Sequence, residues 1–462
     1  MGRAVILGMQ LHGHVNPTLA VVQELVARGE EVIYYSSDAF KERLEQMGAL
    51  YRPYDTLFTD MTLQTNPADF SLLVIKEALH ILPQVLEDIR ASEPDYIIYD
   101  TLCVAGRCVA HILDLPAIML FTTHAGGILT RVQEPRKELP PMSVTHIPGA
   151  LPQTDQPLKD VLMVRSGALG HVPPHMRRPG MPPGPGAMGA IPGPQDGQIV
   201  PEEQVAAIQA GIQAAIAELA TTYNVPVSKP TDIYEHTEAL NIVFVPREFQ
   251  SPGKDFDESF VFVGPSILPS TTTASPVTRS AERPTLYISL GTLFNEDPEF
   301  FAMCLEAFGH SEWQVVMSIG SRVDPARLGD IPANFIVAPY HPQLAVLANT
   351  DVFITHGGMN STMEALSLGV PLIVIPQMAE QAITAQRVDA LGLGLALDKL
   401  GLNGEVLRSA AYRVLNEPSF RQEAAKMQVA ISASGGYKQA ADVIIRYIAE
   451  YPKAPALGAS DS

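Results

Sequence analysis

Short, mostly apolar runs alternate with amphipathic stretches along the chain, and this alternation restricts the possible folds more than any other feature. The runs in the first half include AVILGM, EVIYYSS, DYIIYD and PAIMLFTT, and those in the second half include TLYISL, WQVVMSI, NFIVAP, DVFITH and PLIVIP. Parallel strands are buried on both faces, so they read as continuous apolar runs joined by crossover helices. The pattern predicts an α/β protein with two Rossmann-like, doubly wound domains that face each other across a cleft.

The length of 462 residues exceeds what one compact core usually holds, which favours two large domains. A proline- and glycine-rich tract at about 171–197 has few residues that favour regular structure and predicts a mobile surface loop. The predicted organisation is an N-terminal domain over 1–265, a linker over 266–284, a C-terminal domain over 285–435, a C-terminal helix over 436–452 that packs back on the N-terminal domain, and a tail over 453–462.

Charge and composition disfavour several classes of partner. The formal net charge of -19 repels polyanions, so neither nucleic acid nor an anionic membrane is expected as a partner. Cys103, Cys108 and Cys304 fit neither a disulfide framework nor a zinc cluster. The first residues read directly into a strand rather than a signal peptide, and the longest clean apolar runs fall far short of the roughly 20 residues that cross a bilayer. These features predict a soluble, cytoplasmic protein.

The stretch THGGMNSTMEAL places His356, Gly357, Gly358, Asn360 and Ser361 between a predicted strand and a predicted helix. Glycine lets backbone amides approach an anion at the positive end of a helix, so a phosphate is the expected occupant. An alternative from spacing alone is a capping box, in which Glu364 reaches back to the amide of Ser361 instead of to a ligand.

A candidate base lies near the start of the chain. His14 falls between the first strand and a helix predicted to begin at Asn16-Pro17, where the positive helix end would disfavour the imidazolium. Asp100, at the end of DYIIYD, can reach the neighbouring loop and orient the ring. The alternatives are a structural role for His14, a helix N-cap role for Asp100, and His12 as the base.

The stretch YHPQLAVLANTDVFITHGGMNSTMEALSLGVPLIVIPQMAEQ resembles the nucleotide-sugar signature of family-one glycosyltransferases. The resemblance is closest to bacterial macrolide glycosyltransferases and extends to HGHVNPTLA, PREFQSP, FVGPSI and LYISLGT. It implies the GT-B fold, with acceptor binding in the first domain and nucleotide-sugar binding in the second. It also implies an inverting hexosyltransferase that moves a sugar from a UDP-sugar to a hydroxyl of a small apolar acceptor such as a macrolide, flavonoid or terpenoid.

The resemblance also implies residue roles. The catalytic position directly before V-N-P is that of His14, in preference to His12, and the aspartate that pairs with it is Asp100. Tyr340 stands where the family usually has a tryptophan that stacks on uracil, which leaves uridine and thymidine both open. Gln381 is similar to the residue of glucose-using members. The implied donor-binding residues are Gly13, Thr292, Tyr340, Gln343, His356, Gly357, Gly358, Asn360, Ser361, Glu364 (ribose), Glu380 and Gln381 (sugar hydroxyls).

No metal or other cofactor is expected in this scheme, because the helix end and His356 hold the leaving charge, and Asp255-Phe256-Asp257 is predicted to lie in a surface loop. The predicted acceptor wall includes Phe58, Phe70 and Phe121, and the predicted state is a monomer or weak dimer. One rival is an NAD-dependent oxidoreductase with Asp38 on the ribose, but GMQLHGHVNP contains no G-x-G-x-x-G. Other rivals are an epimerase, a hydrolase or a non-catalytic binder on the same fold.

Overall fold

The computed structural model describes residues 2–58, 67–126, 202–251, 255–268, 275–280, 282–292 and 295–451. The described residues form a seven-stranded and a six-stranded sheet, each entirely parallel. The predicted loop at about 171–197 and the tail at 453–462 lie outside these ranges, as does part of the predicted linker. The two doubly wound sheets confirm the predicted α/β fold, whereas the numerical domain boundaries stay predictions.

The first sheet has the order β3-β2-β1-β4-β5-β6-β7. Its strands are β1 (Arg3–Leu7), β2 (Glu31–Ser36), β3 (Leu50–Pro53), β4 (Tyr96–Asp100), β5 (Ala117–Phe121), β6 (Leu240–Val243) and β7 (Phe260–Phe262). The helices of this part are α1 (His12–Ala27), α2 (Lys41–Gln46), α3 (Pro67–Ala91), α4 (Val104–Leu113), α5 (Glu202–Tyr223) and α6 (Thr231–Tyr234). Every residue of β4 and β5 is buried, as expected for strands covered by helices on both faces.

The start of α1 differs from the prediction. The helix begins at His12, and the amides of His14 and Val15 both bond to the carbonyl of Leu11 at 2.9 Å. Pro17 therefore lies inside the helix, and the side chain of Asn16 accepts a hydrogen bond from Arg43 at 2.9 Å instead of capping the helix. His14 thus sits in the first turn of α1 and not in a loop before it.

The second sheet has the order β10-β9-β8-β11-β12-β13. Its strands are β8 (Thr285–Ser289), β9 (Gln314–Ser318), β10 (Phe335–Ala338), β11 (Val352–Thr355), β12 (Leu372–Val374) and β13 (Gly394–Ala396). The helices are α7 (Pro298–Phe308), α8 (Gln343–Leu347), α9 (Met359–Ser367), α10 (Ala379–Ala390), α11 (Gly404–Asn416), α12 (Pro418–Ala433) and α13 (Gly436–Glu450). Asn403 caps the start of α11, where its side chain accepts from the amides of Glu405 and Val406 at 3.0 Å.

The chain returns to the first domain at its last helix. Gly435 and Gly436 both have positive φ, 84° and 60°, and the amide of Gly436 bonds to the carbonyl of Val263 at 2.7 Å. Glycine adopts such angles most readily, and a Cβ on Gly435 would also lie 2.7 Å from Gln439 Cβ, so glycine suits the turn between α12 and α13. Helix α13 then packs against α1, where Arg28 pairs with Asp442.

One described helix, residues 203–223 of α5, is long and apolar enough by composition to cross a membrane. Its apolar positions Ile208, Ile212, Ile216 and Leu219 are spaced at helical intervals and are buried in the hydrophobic cluster that contains Leu7, Ile97 and Met119 of the first sheet, here called the first core. The helix packs against α3. This packing accounts for these four residues as core contacts, while several alanines on the other faces of the helix are exposed.

Candidate active site

The carboxyl ends of the strands bring His14 and Asp100 together, because β1 and β4 are adjacent and parallel. His14 Nδ1 lies 2.7 Å from Asp100 Oδ2, while Asp100 Oδ1 accepts the amide of Leu102 at 2.8 Å. The Asp100 side chain is 2% exposed and that of His14 is 13% exposed. With Nδ1 held by the carboxylate, Nε2 is the nitrogen available to accept a proton.

The charge environment of His14 differs from the prediction. Burial is the largest influence on its pKa and lowers it, but the charge and hydrogen bond of Asp100, with the charge of Glu380, raise the pKa above its ordinary value. The pKa of His14 is therefore raised and not lowered as predicted. For the carboxyl group of Glu380, burial has the opposite effect and raises the pKa, and the charge of His14 opposes that rise.

His12, the alternative base, has no such partner. Its ring packs edge-on against Phe40, with 5.0 Å between the centroids, and burial followed by the charge of Arg43 lowers its pKa. Asp100 bonds to the ring of His14 and not to that of His12. Of the two predicted candidates, His14 alone is paired with a carboxylate.

His356 follows β11 and fits between two glycines. A Cβ on Gly291 would lie 2.4 Å from His356 Cε1, and a Cβ on Gly358 would lie 2.5 Å from His356 Nε2. Burial lowers the pKa of His356 to about 4, so the ring is neutral near pH 7. Gly357, with φ of 86°, completes the turn into α9, and exposed Thr292 follows Gly291 at the end of the neighbouring β8.

A hydrogen-bonded group joins α8 to α9. Gln343 Nε2 donates to Glu364 Oε2 at 2.7 Å and to Ser361 Oγ at 3.1 Å. The alternative capping box is wrong, because Gly358 is the N-cap of α9 and the Glu364 carboxylate bonds to Gln343. Burial raises the pKa of Glu364, and the bond from Gln343 opposes that shift. Tyr340, just before α8, is 73% exposed and presents a free aromatic face.

Glu380 and Gln381 occupy the first turn of α10. Gln381 is buried, and its Oε1 accepts the amide of Gln377 at 2.8 Å. That oxygen is therefore already engaged within the protein, which leaves the amide nitrogen as the polar atom that Gln381 can offer to a ligand.

The two domains meet at these groups. Asn360 Nδ2, in the first turn of α9, donates to the carbonyl of Gly13 at 3.3 Å. That carbonyl is open because Pro17, four residues later, has no amide hydrogen for the usual helical bond. A Cβ on Gly13 would meet nothing within 4 Å, so the surface above it faces open space. The base and the glycine-flanked pocket thus border one cleft.

Two residues near the site were not predicted. Thr122 Oγ1, just after β5, lies 3.1 Å from His14 Nδ1, and Arg387 of α10 bonds to the carbonyls of Glu248 and Phe249 across the domains. A polar residue directly after a buried strand was the available signal for Thr122. No local signal marks Arg387.

The remaining predicted positions are three phenylalanines of the expected acceptor wall and the aspartates of Asp255-Phe256-Asp257. Phe58 and Phe121 are buried in the first core, where Phe58 also packs against Phe70 with 6.0 Å between ring centroids. Asp255 and Asp257 are exposed, as predicted for a surface loop. No cluster of three or more metal-ligating side chains occurs within the described part of the chain.

Comparisons with known proteins agree with this architecture. Residues 302–442 match the family model described as the C-terminal domain of erythromycin biosynthesis protein CIII-like proteins. The solved structure of CalG4, the calicheamicin glycosyltransferase, aligns with a TM-score of 0.72 at 29% identity, covering 98% of this chain and 100% of that one. The fold and the two-sided cleft are those of a GT-B glycosyltransferase.

The sequence relatives define the family. The NDP-glycosyltransferase YjiC of Bacillus subtilis (strain 168) is 36% identical over 442 residues, which cover 94% of this chain and 95% of the relative. The oleandomycin glycosyltransferase of Streptomyces antibioticus is 25% identical, over 94% of this chain and 88% of that protein. The chain belongs to the family-one glycosyltransferases and has macrolide glycosyltransferases among its relatives.

Proposed function

We propose that this enzyme transfers a hexose, and specifically glucose, from a UDP-sugar to a hydroxyl of a small apolar natural product, with inversion at the anomeric carbon. The observation that supports this proposal most strongly is the contact of His14 Nδ1 with Asp100 Oδ2 at 2.7 Å, next to the interdomain hydrogen bond from Asn360 to Gly13. This arrangement sets a proton acceptor from one domain against the start of α9 in the other.

In the proposed reaction, Nε2 of neutral His14 takes the proton of the acceptor hydroxyl as that oxygen bonds to the anomeric carbon. The bond from that carbon to the diphosphate oxygen breaks on the opposite face, and UDP leaves with the electron pair. Asp100 stabilises the imidazolium that forms. The products are the glycoside with inverted configuration, UDP and one proton, which His14 releases to solvent.

The leaving charge would be held by the second domain. The amino end of α9 presents backbone amides and a positive dipole; Asn360 and Ser361 lie in its first turn, His356 precedes it, and Thr292 follows Gly291, which packs against His356. We propose that this field makes a metal unnecessary, in which case EDTA leaves turnover unchanged. A loss of activity with EDTA that Mg²⁺ or Mn²⁺ restores would contradict this step.

Donor recognition would use the remaining groups. The free face of Tyr340 can stack on the base, and Glu364, fixed by Gln343, can accept from two ribose hydroxyls. Glu380 and the amide nitrogen of Gln381 face the sugar in this proposal. The name of the Bacillus relative, an NDP-glycosyltransferase, supports a nucleotide donor, and that of the oleandomycin enzyme supports a natural-product acceptor.

The direct test incubates the protein with labelled UDP-glucose and a panel of macrolides, flavonoids and terpenoids. We expect acceptor-dependent UDP release and a β-glucoside by NMR, since the glucose of UDP-glucose is α-linked. UDP release that ignores every acceptor would favour a hydrolase, and NAD binding with no affinity for UDP or dTDP in calorimetry would favour the oxidoreductase. The proposed cytoplasmic location and monomeric or weakly dimeric state are checked by fractionation and size-exclusion chromatography.

A further inference from the structure

We propose that Arg387 is a positioning residue, which fixes the helix that carries the sugar-facing residues against the chain segments that hold the catalytic histidine. The inference rests on the proposed function, because it assigns Arg387 the task of aligning the donor sugar with His14. Arg387 lies in α10, seven residues after Glu380 and therefore about two turns along the same helix.

The guanidinium of Arg387 reaches across the domains with two donors. Its Nε donates to the carbonyl of Phe249 at 3.0 Å, and its Nη2 donates to the carbonyl of Glu248 at 2.6 Å. No carboxylate pairs with it among the residues that the structure describes, and burial lowers its pKa. A planar fork that satisfies two successive carbonyls fixes both distance and orientation, which a lysine ammonium cannot do.

The segment that receives these bonds is itself rigidly held. Phe249 is fully buried and stacks on His124, with 5.5 Å between the centroids and 7° between the planes. Gln250 uses both atoms of its side-chain amide, accepting from the amide of Ala125 at 3.0 Å and donating to its carbonyl at 2.9 Å. Residues 249–250 and 124–125 therefore move as one unit.

The stretch that contains His124 and Ala125 also contacts His14, the proposed base. Thr122 lies two residues before His124, at the end of β5, and its Oγ1 is 3.1 Å from His14 Nδ1. The path from α10 to His14 thus consists of hydrogen bonds, one ring stack and short stretches of backbone. The hydrogen bond from Asn360 to Gly13, at 3.3 Å, is the other polar contact described above that joins the two sides of the cleft.

If Arg387 aligns the donor sugar with His14, its loss should change the rate of transfer and leave UDP binding unchanged. The groups assigned to the diphosphate, ribose and base lie on α8, α9, the loops before them and the loop after β8, and not on α10, so we expect UDP affinity to be independent of Arg387. Transfer depends on it, because a misplacement of about 1 Å between reacting groups costs on the order of 100-fold in rate. A sugar that is bound but misaligned with His14 and the acceptor is also more exposed to attack by water.

The experiment compares Arg387→Met and Arg387→Lys with the wild type and with Arg413→Met. Arg413 is the control in the same domain, since it pairs with Glu417 one helical turn away, lies over the ring of Phe420, and makes no hydrogen bond across the domains among the described residues. The readouts are UDP affinity by calorimetry, kcat, melting temperature, and the fraction of consumed UDP-glucose that appears as glycoside rather than free glucose. Gln250→Met removes the two hydrogen bonds between Gln250 and Ala125, and it tests the same path if Arg387→Met does not fold.

We expect both Arg387 variants to lose about tenfold or more in kcat, to bind UDP within about twofold of wild type, and to divert a larger fraction of sugar to water. Arg387→Lys should not restore kcat, because a lysine keeps the charge but cannot donate to both carbonyls in a fixed geometry. Arg413→Met should have the kcat and glycoside fraction of the wild type. Unchanged kcat and an unchanged glycoside fraction in folded variants, even with a lower melting temperature, would overturn the inference. Absence of transfer by the wild-type enzyme would instead refute the proposed function.

Discussion

Replacing Asp100 with asparagine tests how the histidine is held in its reactive form. Asp100 Oδ1 accepts the amide of Leu102, and Oδ2 accepts from His14 Nδ1. In the variant, an asparagine oxygen that keeps the Leu102 bond places its NH₂ group against Nδ1. The ring then favours the tautomer with hydrogen on Nε2, which removes the lone pair needed to accept the proton.

The magnitude follows from the burial and length of this contact. A hydrogen bond to a charged group contributes about 1.5–3 kcal/mol, which corresponds to roughly 10- to 100-fold in rate. The wrong tautomer adds to this, so kcat should fall about 10²–10⁴-fold, with the upper figure equal to the loss of about 10⁴ found when a triad carboxylate is made neutral. UDP affinity should stay within about twofold, because Asp100 is 2% exposed and lies in the other domain.

The pH profile gives an independent readout. Neutral His14 is the proton acceptor, so wild-type activity falls as pH drops through its pKa, which Asp100 and Glu380 raise. Without the Asp100 charge, burial lowers the pKa, so the acid limb should move to lower pH. Initial rates between pH 5 and 9 measure both effects. Asp95→Asn, at the opposite end of β4, is the control, because the Asp95 carboxylate accepts from the exposed amide of Arg3 at 2.7 Å and lies at the strand end away from His14.

An Asp100→Asn enzyme with near-normal turnover and an unmoved acid limb would refute the reasoning about the pair. A large loss shared equally by Asp95→Asn would refute it as well, since it would trace the loss to β4 in general and not to the contact with His14.

Three further substitutions probe the donor side of the cleft. Gly13→Ala adds a methyl group where nothing lies within 4 Å, so melting temperature should hold or rise while kcat/KM falls, because the donor needs that space. Gly358→Ala places a Cβ 2.5 Å from His356 Nε2 at an ordinary φ of -60°, and displacement of the ring should cost about 1–3 kcal/mol in stability and weaken UDP binding in calorimetry. Glu364→Gln removes a two-oxygen acceptor, so UDP affinity should fall about tenfold or more while pyrophosphate affinity is unchanged; equal losses for both ligands would contradict the ribose assignment.

The strands that could be predicted are those with long apolar runs. All nine runs quoted from the two halves became strands, because burial on both faces requires such runs. The strands β3 (LYRP) and β13 (GLA) carry too little apolar sequence to stand out. Both lie at sheet edges, where one side of the strand has no neighbour and the sequence is less constrained.

The candidate site was predictable where it depends on local sequence. The glycines around His356 and the polar end of DYIIYD are signals within a few residues, and the parallel pairing of β1 and β4 brings His14 to Asp100. The start of α1 predicted from Pro17 is wrong, because proline is common in the first turn of helices but here lies more than one turn after the first helical residue. The only local signal for Thr122 is its place directly after β5, and its contact with His14 follows from the fold.

The contacts of Arg387 could not be predicted, because they join residues 138 and 139 positions apart in sequence. The charge on His14 is a similar case, since Glu380 is far away along the chain and acts on the ring only through the closeness of the two domains. Both depend on how the domains meet, which no local pattern encodes.

The central claim is that one domain binds the activated sugar while His14 of the other removes the acceptor proton. The most direct test measures UDP affinity and glucosyl transfer together for His14→Ala. We expect the variant to bind UDP as wild type does and to lose at least about 10²-fold in kcat. Near-normal transfer by His14→Ala would contradict the account, and loss of UDP binding in a folded variant would place His14 in the donor site instead.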